Sequence, residues 1–142
     1  MKKEQLAERA KEAMQLAYSP YSGYKVGAAL LCKDGSIYTG CNIENAGYSA
    51  TNCAERTAFF KAVSEGKREF TAIAICGGKD GIIEGLFPPC GICRQVMREF
   101  CEDEFIIYLV TKDGIEEYTL GQLLPTSFKP ENVKCGGMVL EY

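Results

Sequence analysis

Two nearly continuous apolar runs constrain the fold more than any other feature of the sequence. Residues 70–76 (FTAIAIC) and 105–110 (FIIYLV) have the length of strands but lack the alternation of a strand with one face in water. A segment of helical composition, residues 90–101, lies between them and follows a Pro-Pro pair. The succession of buried strand, helix and buried strand predicts two parallel strands joined by a crossover helix, the core of an α/β domain.

The other segments add a hairpin and further helices. Apolar residues recur at helical spacing over residues 4–17, and residues 53–65 carry an alanine stripe that ends at a glycine. Residues 26–32 and 37–43 predict two strands joined by a turn, and a short strand and a helix (120–123) follow the second apolar run. The glycine-rich residues 77–85 predict a loop. We expect one domain over residues 1–142, a three-layer α/β/α fold with a mixed five-stranded sheet flanked by helices.

Composition argues against several classes of protein. The net charge is −3, from 16 Lys plus Arg and 19 Asp plus Glu, which does not favour binding to nucleic acid. The sequence has no run of about 20 apolar residues, the length that a membrane-spanning helix requires. The first residues, MKKEQLAE, lack the apolar stretch of a signal peptide, so we expect a cytoplasmic protein with reduced thiols.

The sequence has eight cysteines and no histidine, so it offers no imidazole base or ligand. An even number of cysteines is compatible with a disulfide framework, which a reducing compartment disfavours. Several cysteines lie in or near apolar runs, where a free thiol behaves as a small hydrophobic group. We assign five of them to packing: Cys32, Cys41, Cys76, Cys101 and Cys135.

The remaining three cysteines stand at the starts of two predicted helices. Cys90 and Cys93 form a C-x-x-C pair, which alone fits either a redox dithiol or half of a metal site. Cys53 begins the other helix, and right-handed crossovers place both helix starts at one end of the sheet. Three thiolates favour zinc, and three ligands with an open fourth position are typical of a catalytic site. A structural four-cysteine site, completed by Cys41 or Cys32, is the alternative.

Glu55 follows Cys53 by two positions and has two interpretations. Asn52 and Glu55 have the spacing of a capping box at the start of a helix. Alternatively, the Glu55 carboxylate lies beside the metal and transfers protons during catalysis.

These motifs resemble the zinc-dependent nucleoside and base deaminases. The zinc motif consists of Cys53-Ala54-Glu55 and Pro89-Cys90-Gly91-Ile92-Cys93. A cysteine at the first ligand position is similar to the small homotetrameric cytidine deaminases. Further motifs of that family follow in the same order: Val26-Gly27-Ala28-Ala29-Leu30, Gly40-Cys41-Asn42-Ile43-Glu44-Asn45, Arg56-Thr57-Ala58 after Glu55, Arg94-Gln95 after Cys93, and Leu123-Leu124-Pro125.

The resemblance implies one Zn²⁺ per chain, held by Cys53, Cys90 and Cys93, and hydrolytic deamination of cytidine and deoxycytidine. Glu55 is then the catalytic proton carrier. Zinc with three thiolates has a net charge of −1, which makes it a poor Lewis acid unless donors neutralise the sulfurs. The resemblance assigns this task to Arg56, while an arbitrary helical arginine is usually a solvated charge.

The resemblance also implies a substrate site. Asn42 and Glu44 are expected at the ribose, although asparagines in such a loop also fit Asx turns. The backbone around Ala54 is expected to recognise the pyrimidine edge. Tyr24 stands where the family generally has phenylalanine against the base or sugar.

The family's active sites are shared between the subunits of a homotetramer. By resemblance, Tyr48 reaches a neighbouring site near the 5′-hydroxyl, and Phe128 stacks on the base bound by another subunit; each could also serve only to anchor its loop. Residues 77–85 and the tail 131–142 depart from the family pattern, and the latter includes Cys135.

The sequence is also compatible with two other functions. A deaminase of a modified cytosine nucleoside, of the blasticidin type, shares the zinc motifs, although Asn42 and Glu44 favour an ordinary nucleoside. A non-catalytic dithiol or structural-zinc module would use the same cysteines without deamination.

Overall fold

The computed structural model of the chain describes residues 1–134 and is built on a five-stranded sheet. Its strands are β1 (Tyr24–Cys32), β2 (Ile37–Cys41), β3 (Phe70–Lys79), β4 (Ile106–Thr111) and β5 (Gly114–Thr119), in the spatial order β2-β1-β3-β4-β5. β3 and β4 are parallel, and the other neighbouring pairs are antiparallel. The mixed sheet and its parallel central pair confirm the prediction from the two apolar runs.

Helices cover both faces of the sheet, which confirms the three-layer arrangement. They are α1 (Lys3–Met14), α2 (Ala54–Ser64), α3 (Gly91–Phe100) and the single turn α4 (Leu120–Leu123), with short 3₁₀ turns at Tyr48–Ala50 and Pro130–Asn132. α1 packs on one face of the sheet, against small side chains such as Ala29, Ala72 and Ala74. α2 and α3 pack on the opposite face, around the buried Phe59 and Ile73.

The start of α2 lies directly over strand β2. A Cβ atom at Gly40 would collide with the carbonyl oxygen of Ala54, so this position needs glycine to let the helix approach. On the same face, the crossover from β3 to β4 runs through α3, which begins after Cys90. The fold therefore brings the first turns of α2 and α3, with their cysteines, to one side of the sheet.

The structure corrects several predicted boundaries. The predicted loop 77–85 is wrong at its start, because β3 continues to Lys79 by pairing with the first residues of β1. Backbone pairing extends this strand without apolar side chains, and Gly78 leaves room for the carbonyl of Ile82. The first helix ends at Met14, three residues earlier than predicted. β2 ends at Cys41, and Ile43 forms only isolated bridges.

Three of the cysteines assigned to packing are buried, namely Cys32, Cys76 and Cys101, and Cys41 is half-buried. The cysteines of residues 1–134 are free thiols. The predictions about Cys135 and most of the tail concern residues 135–142, which lie outside the described residues. None of the helices in residues 1–134 combines the length and apolar character needed to cross a bilayer.

Candidate metal centre and active site

Three thiols meet where α2 and α3 begin. The Sγ atoms of Cys53, Cys90 and Cys93 all lie within 4.8 Å of one another, and those of Cys53 and Cys90 are 3.8 Å apart. Cys53 and Cys90 are the residues that immediately precede the first residues of α2 and α3. Cys93 is buried in the first turn of α3. The structure thus brings together the three cysteines that sequence analysis separated from the rest.

The electrostatic environment of these thiols favours a thiolate. A hydrogen bond from Cys93, together with the nearby Arg56 guanidinium, lowers the pKa of Cys53 to about 5. The Arg56 Nη2 atom lies 3.3 Å from the Cys53 sulfur, to which it donates. The helix N-termini add partial positive charge on the same side. The hydrogen bond to Cys53, together with burial, raises the pKa of Cys93, so one thiolate is favoured before a cation is added.

The donor set fits zinc. Soft thiolates select zinc among common divalent cations, and three of them leave one tetrahedral position open. Neither Cys32 nor Cys41 belongs to the cluster found in residues 1–134, so the fourth ligand of a structural site is not among the thiols grouped there. The arrangement matches a catalytic metal centre better than a closed structural one.

Glu55 lies buried beside these thiols, with 4% of its surface exposed. Burial raises the pKa of its carboxyl group to about 7, the negative charge of Cys53 adds to the effect, and Arg56 opposes it. A carboxyl group with such a pKa can both accept and release a proton near neutral pH. The structure does not show the capping box, because Cys53 occupies the N-cap position without a side-chain cap and Asn52 donates to the Thr57 hydroxyl.

Asn42 is buried and holds the start of β1 in place. Its Oδ1 accepts from the Val26 amide at 2.8 Å, and its Nδ2 donates to the Tyr24 carbonyl at 2.8 Å. These two bonds still leave one Nδ2 hydrogen available. The Asx-turn interpretation is therefore wrong for Asn42, whose partners lie 16 and 18 residues away, whereas Asn45 does accept from the Gly47 amide two residues on.

Glu44 is fixed by the loop after α1. Its carboxylate accepts from the backbone amides of Tyr21 and Ser22 at 2.9 and 3.1 Å, and from the Ser22 hydroxyl. The Ser22 hydrogen bonds lower the pKa of Glu44, which keeps the group charged. The same side chain borders an open cleft of about 420 Å³ that Tyr48 also lines.

Tyr24 and Ala54 occupy different environments near the site. The Tyr24 ring is 43% exposed, packs 6.0 Å from the ring of Phe87 and has Lys79 Nζ at 5.5 Å. Ala54 is fully buried as the first residue of α2, where backbone N–H groups have no partner within the helix. Tyr24 is therefore partly exposed beside Phe87 and Lys79, whereas Ala54 is held in the core at the first position of α2.

Two aromatic side chains expected in shared sites point away from the core. Tyr48 is 84% exposed and Phe128 is 62% exposed. The side chain of Phe128 lies in the segment after α4, and its backbone carbonyl accepts from Gln95 Nε2 at 2.8 Å. Neither ring is therefore buried in the core of the described residues.

Sequence reasoning left three supporting residues without a role. Thr57 donates from its hydroxyl to the Cys53 carbonyl at 3.0 Å. Arg94 and Gln95, which directly follow Cys93, donate to the carbonyls of Leu123, the last residue of α4, and of Phe128. Because these residues lie close to the cysteine motifs, the sequence could have suggested a supporting role for them. Their acceptors are backbone carbonyls, however, and a sequence does not reveal which carbonyls lie within reach.

A family model agrees with this geometry. The model described as "Cytidine and deoxycytidylate deaminase zinc-binding region" matches residues 1–109 and so includes all three clustered cysteines. The chain belongs to this family. Zinc is accordingly its cofactor, in keeping with the three-thiol cluster.

Individual relatives are similar to this chain over most of its length. The chain is 53% identical to a cytidine deaminase of Sporosarcina psychrophila over 92% of its own length and 93% of that protein. It is 49% identical to one of Halalkalibacterium halodurans, with coverages of 94% and 98%. The crystal structure of a cytidine deaminase from Burkholderia pseudomallei superposes with a TM-score of 0.84 at 45% identity, over 90% of this chain and all of that one.

Proposed function

We propose that the protein hydrolyses cytidine and deoxycytidine to uridine and deoxyuridine, with release of ammonia. The observation that carries the proposal is the buried Glu55 carboxyl, with a pKa near 7, beside three thiols within 4.8 Å of one another. The cytidine deaminases that resemble this chain over more than nine-tenths of its length support the choice of substrate.

We propose Cys53, Cys90 and Cys93 as the zinc ligands and Glu55 as the catalytic proton carrier. Bound zinc supplies the Lewis acidity that makes water a nucleophile at neutral pH. Glu55 takes a proton from the attacking water and gives it to the neighbouring ring nitrogen, while the oxygen adds to the carbon that bears the amino group. The remaining water proton reaches the amino group by the same carboxylate. The ring carbon then keeps the oxygen as a carbonyl, and the C–N bond breaks to release ammonia.

Arg56 reduces the charge that three thiolates impose on this reaction. Its guanidinium donates to the Cys53 sulfur, which withdraws electron density from the ligand. The positive ends of α2 and α3 act in the same direction. The thiolate site can then remain acidic enough to activate water.

Asn42 and Glu44 are the groups that we propose for the ribose. The free Nδ2 hydrogen of Asn42 can donate to a hydroxyl, and the charged Glu44 can accept from one. Tyr24 would close the site beside the sugar, and the backbone at Ala54 would meet the polar edge of the pyrimidine. The hydroxyl of Tyr24 would add a polar group at a position where the family generally has phenylalanine.

We also propose a homotetramer with shared active sites. The exposed Tyr48 and Phe128 rings lack a core to fill, and aromatic side chains of this kind are enriched at interfaces. Tyr48 would approach the 5′-hydroxyl in a neighbouring subunit, and Phe128 would stack on the base of another.

Other partners do not enter the proposal. A small pyrimidine nucleoside is the only ligand besides zinc, with no nucleic acid and no membrane involved. A site of three reduced thiols suits the cytoplasm, where thiols are not oxidised to disulfides. The reaction there would serve pyrimidine salvage.

The decisive experiment follows the absorbance of cytidine with the wild-type enzyme and with Glu55→Gln. We expect turnover by the wild type and a loss of at least about a thousandfold in the variant, since Glu55 performs every proton transfer. Zinc content is measured in both proteins, and it should stay at one ion per chain. Deoxycytidine and blasticidin-type nucleosides are assayed in parallel.

The outcomes separate the candidate functions. A zinc-loaded wild type that deaminates only a modified cytosine nucleoside would support the blasticidin-type alternative. A reversible disulfide between Cys90 and Cys93, in a metal-free protein without deaminase activity, would support a redox module. A zinc-loaded wild type that leaves every pyrimidine nucleoside unchanged would overturn the proposal.

A further inference from the structure

The segment after α4, residues 124–128, is tied to the helix that carries Cys93. Arg94 Nη1 donates to the Leu123 carbonyl at 2.7 Å, just before the segment begins. Gln95 Nε2 donates to the Phe128 carbonyl at 2.8 Å, where it ends. Two consecutive residues of α3 thus hold the segment at both ends.

Arg94 also connects this segment with the loop of the metal centre. Its Nε atom donates to the Pro89 carbonyl at 2.8 Å, and Pro89 is a fully buried residue that immediately precedes Cys90. A single half-buried guanidinium therefore joins the backbone beside one thiol of the cluster to the end of α4. Arginine suits this position because its planar donors are fixed in direction, whereas a lysine has one nitrogen that cannot occupy both places.

The clamped segment contains a strained residue. Thr126 has φ +51°, in the left-handed region that β-branched residues avoid. Such a conformation persists only where the surrounding contacts fix the backbone. The hydrogen bonds at Leu123 and Phe128 lie on either side of Thr126, so they are among the contacts that can impose it, together with the packing of Leu124 on the core.

We propose that Arg94 and Gln95 are positioning residues, which fix the backbone of residues 124–128 and thereby direct the exposed Phe128 ring toward the substrate bound by another subunit. The proposal rests on the proposed function, in which Phe128 stacks on the base of a neighbouring site. In this arrangement α3 positions both Cys93, a proposed zinc ligand of its own subunit, and the Phe128 ring, which contacts the substrate of a neighbouring subunit.

The main test is Gln95→Glu, which keeps the length of the side chain but replaces the donating amide by an acceptor. Gln95 is exposed, so the change should not prevent folding. We expect KM for cytidine to rise about fivefold, the effect of one neutral hydrogen bond, while kcat stays within about twofold. Gln95→Lys, which restores an N–H donor, should recover most of the loss. Glu99→Gln, an opposite charge change at an exposed position of α3, is the matched control and should behave as wild type.

A double-mutant cycle distinguishes positioning from general structural damage. If Gln95 acts through the Phe128 ring, Gln95→Glu should change KM little in a Phe128→Ala background. Additive effects would overturn the positioning role. If Phe128→Ala alone leaves KM unchanged, the proposed stacking by Phe128 is wrong. The clamp, meaning the hydrogen bonds from Arg94 and Gln95 that hold residues 124–128, is then tested by the optical measurement alone.

The optical measurement uses the absence of tryptophan from the sequence. Phe128→Trp introduces a single reporter, whose fluorescence anisotropy reports the order of the segment without any need for activity. Gln95→Glu and, more strongly, Arg94→Lys should lower the anisotropy, and Arg94→Lys should also lower kcat/KM by about tenfold because both ends of its bridge are affected. An unchanged anisotropy in both variants would refute the clamp.

Discussion

Five of the described cysteines form two groups that share a side chain and differ in chemistry. Cys53, Cys90 and Cys93 cluster at two helix starts, whereas Cys76 and Cys101 pack singly among apolar side chains. Burial does not separate the groups, because Cys93 is as buried as Cys76. Neighbours do: within the cluster, Cys93 and Arg56 lower the pKa of Cys53 to about 5 while the pKa of Cys93 itself is raised, whereas burial is the main cause that raises the pKa of the isolated Cys76 to about 11. The charges and donors around a thiol thus decide whether it is held as a thiolate.

The largest difference between the groups should appear when one member of each is removed. Cys90→Ala should lose zinc and more than about a thousandfold of kcat, because an essential ligand of the proposed site is gone. Cys90 is exposed, so the fold should survive. Zinc per chain and cytidine turnover are measured together, with Cys76→Ala as the control that keeps one zinc and near-normal kcat. Equal zinc content in Cys90→Ala and Cys76→Ala would contradict the distinction between zinc-binding and packing cysteines.

Arg56→Ala tests whether charge around the cluster matters as much as the sulfurs. We expect a ten- to hundredfold loss in kcat or in zinc affinity, because the Cys53 sulfur loses its 3.3 Å donor. Arg56→Lys should recover part of the loss, and Lys61→Ala, an exposed position on the same helix, should have no effect. A chelator titration and steady-state kinetics supply the two readings. Normal values for both in Arg56→Ala would contradict the charge compensation.

Alkylation sharpens the comparison across all the thiols at once. After zinc is chelated at pH 7, iodoacetamide should label Cys53 fastest, because its pKa of about 5 makes it a thiolate. Cys76 and Cys101 should stay unlabelled in the folded protein, since burial raises their pKa to about 11 and about 12. Peptide mapping by mass spectrometry gives the order of labelling, and zinc-loaded protein is the protected control. Early labelling of Cys76 would show that the two groups are not distinct.

The smallest expected effect concerns the stability supplied by a core thiol. Cys76→Ala should lower the free energy of unfolding by about 1–2 kcal/mol at pH 8, through lost packing. The pKa of Cys76 is raised from 9.0 to about 11, so the unfolded chain releases this proton before the folded chain does. Wild-type stability from this thiol is therefore complete below pH 9 and declines as pH rises toward 11. Urea unfolding at pH 8 and pH 10 should show that Cys76→Ala lowers the free energy of unfolding by less at pH 10 than at pH 8. A larger loss at pH 10 would contradict the expected direction of the pKa shift.

Sequence patterns predicted the features that depend on side-chain type and spacing. The apolar runs at β3 and β4 predicted the parallel pair, and the cysteine spacing predicted the cluster. Features that depend on backbone contacts between distant segments were missed. β3 extends through Gly77 and Gly78 because β1 pairs with it, not because its residues favour a strand. The acceptors of Arg94 are carbonyls of Pro89 and Leu123, which carry no trace in the side-chain sequence.

The hydrogen bonds around Asn42 and Glu44 have a consequence for affinity. Asn42 is held by two backbone groups and Glu44 by three donors of the Tyr21–Ser22 turn. Both side chains have therefore given up most of their rotamer entropy during folding, before any nucleoside arrives. In the role that we propose for them, a ribose would meet a preorganised pair of polar groups and would not have to immobilise them. The entropy lost in ordering these two side chains therefore lowers the free energy of unfolding and does not weaken nucleoside binding.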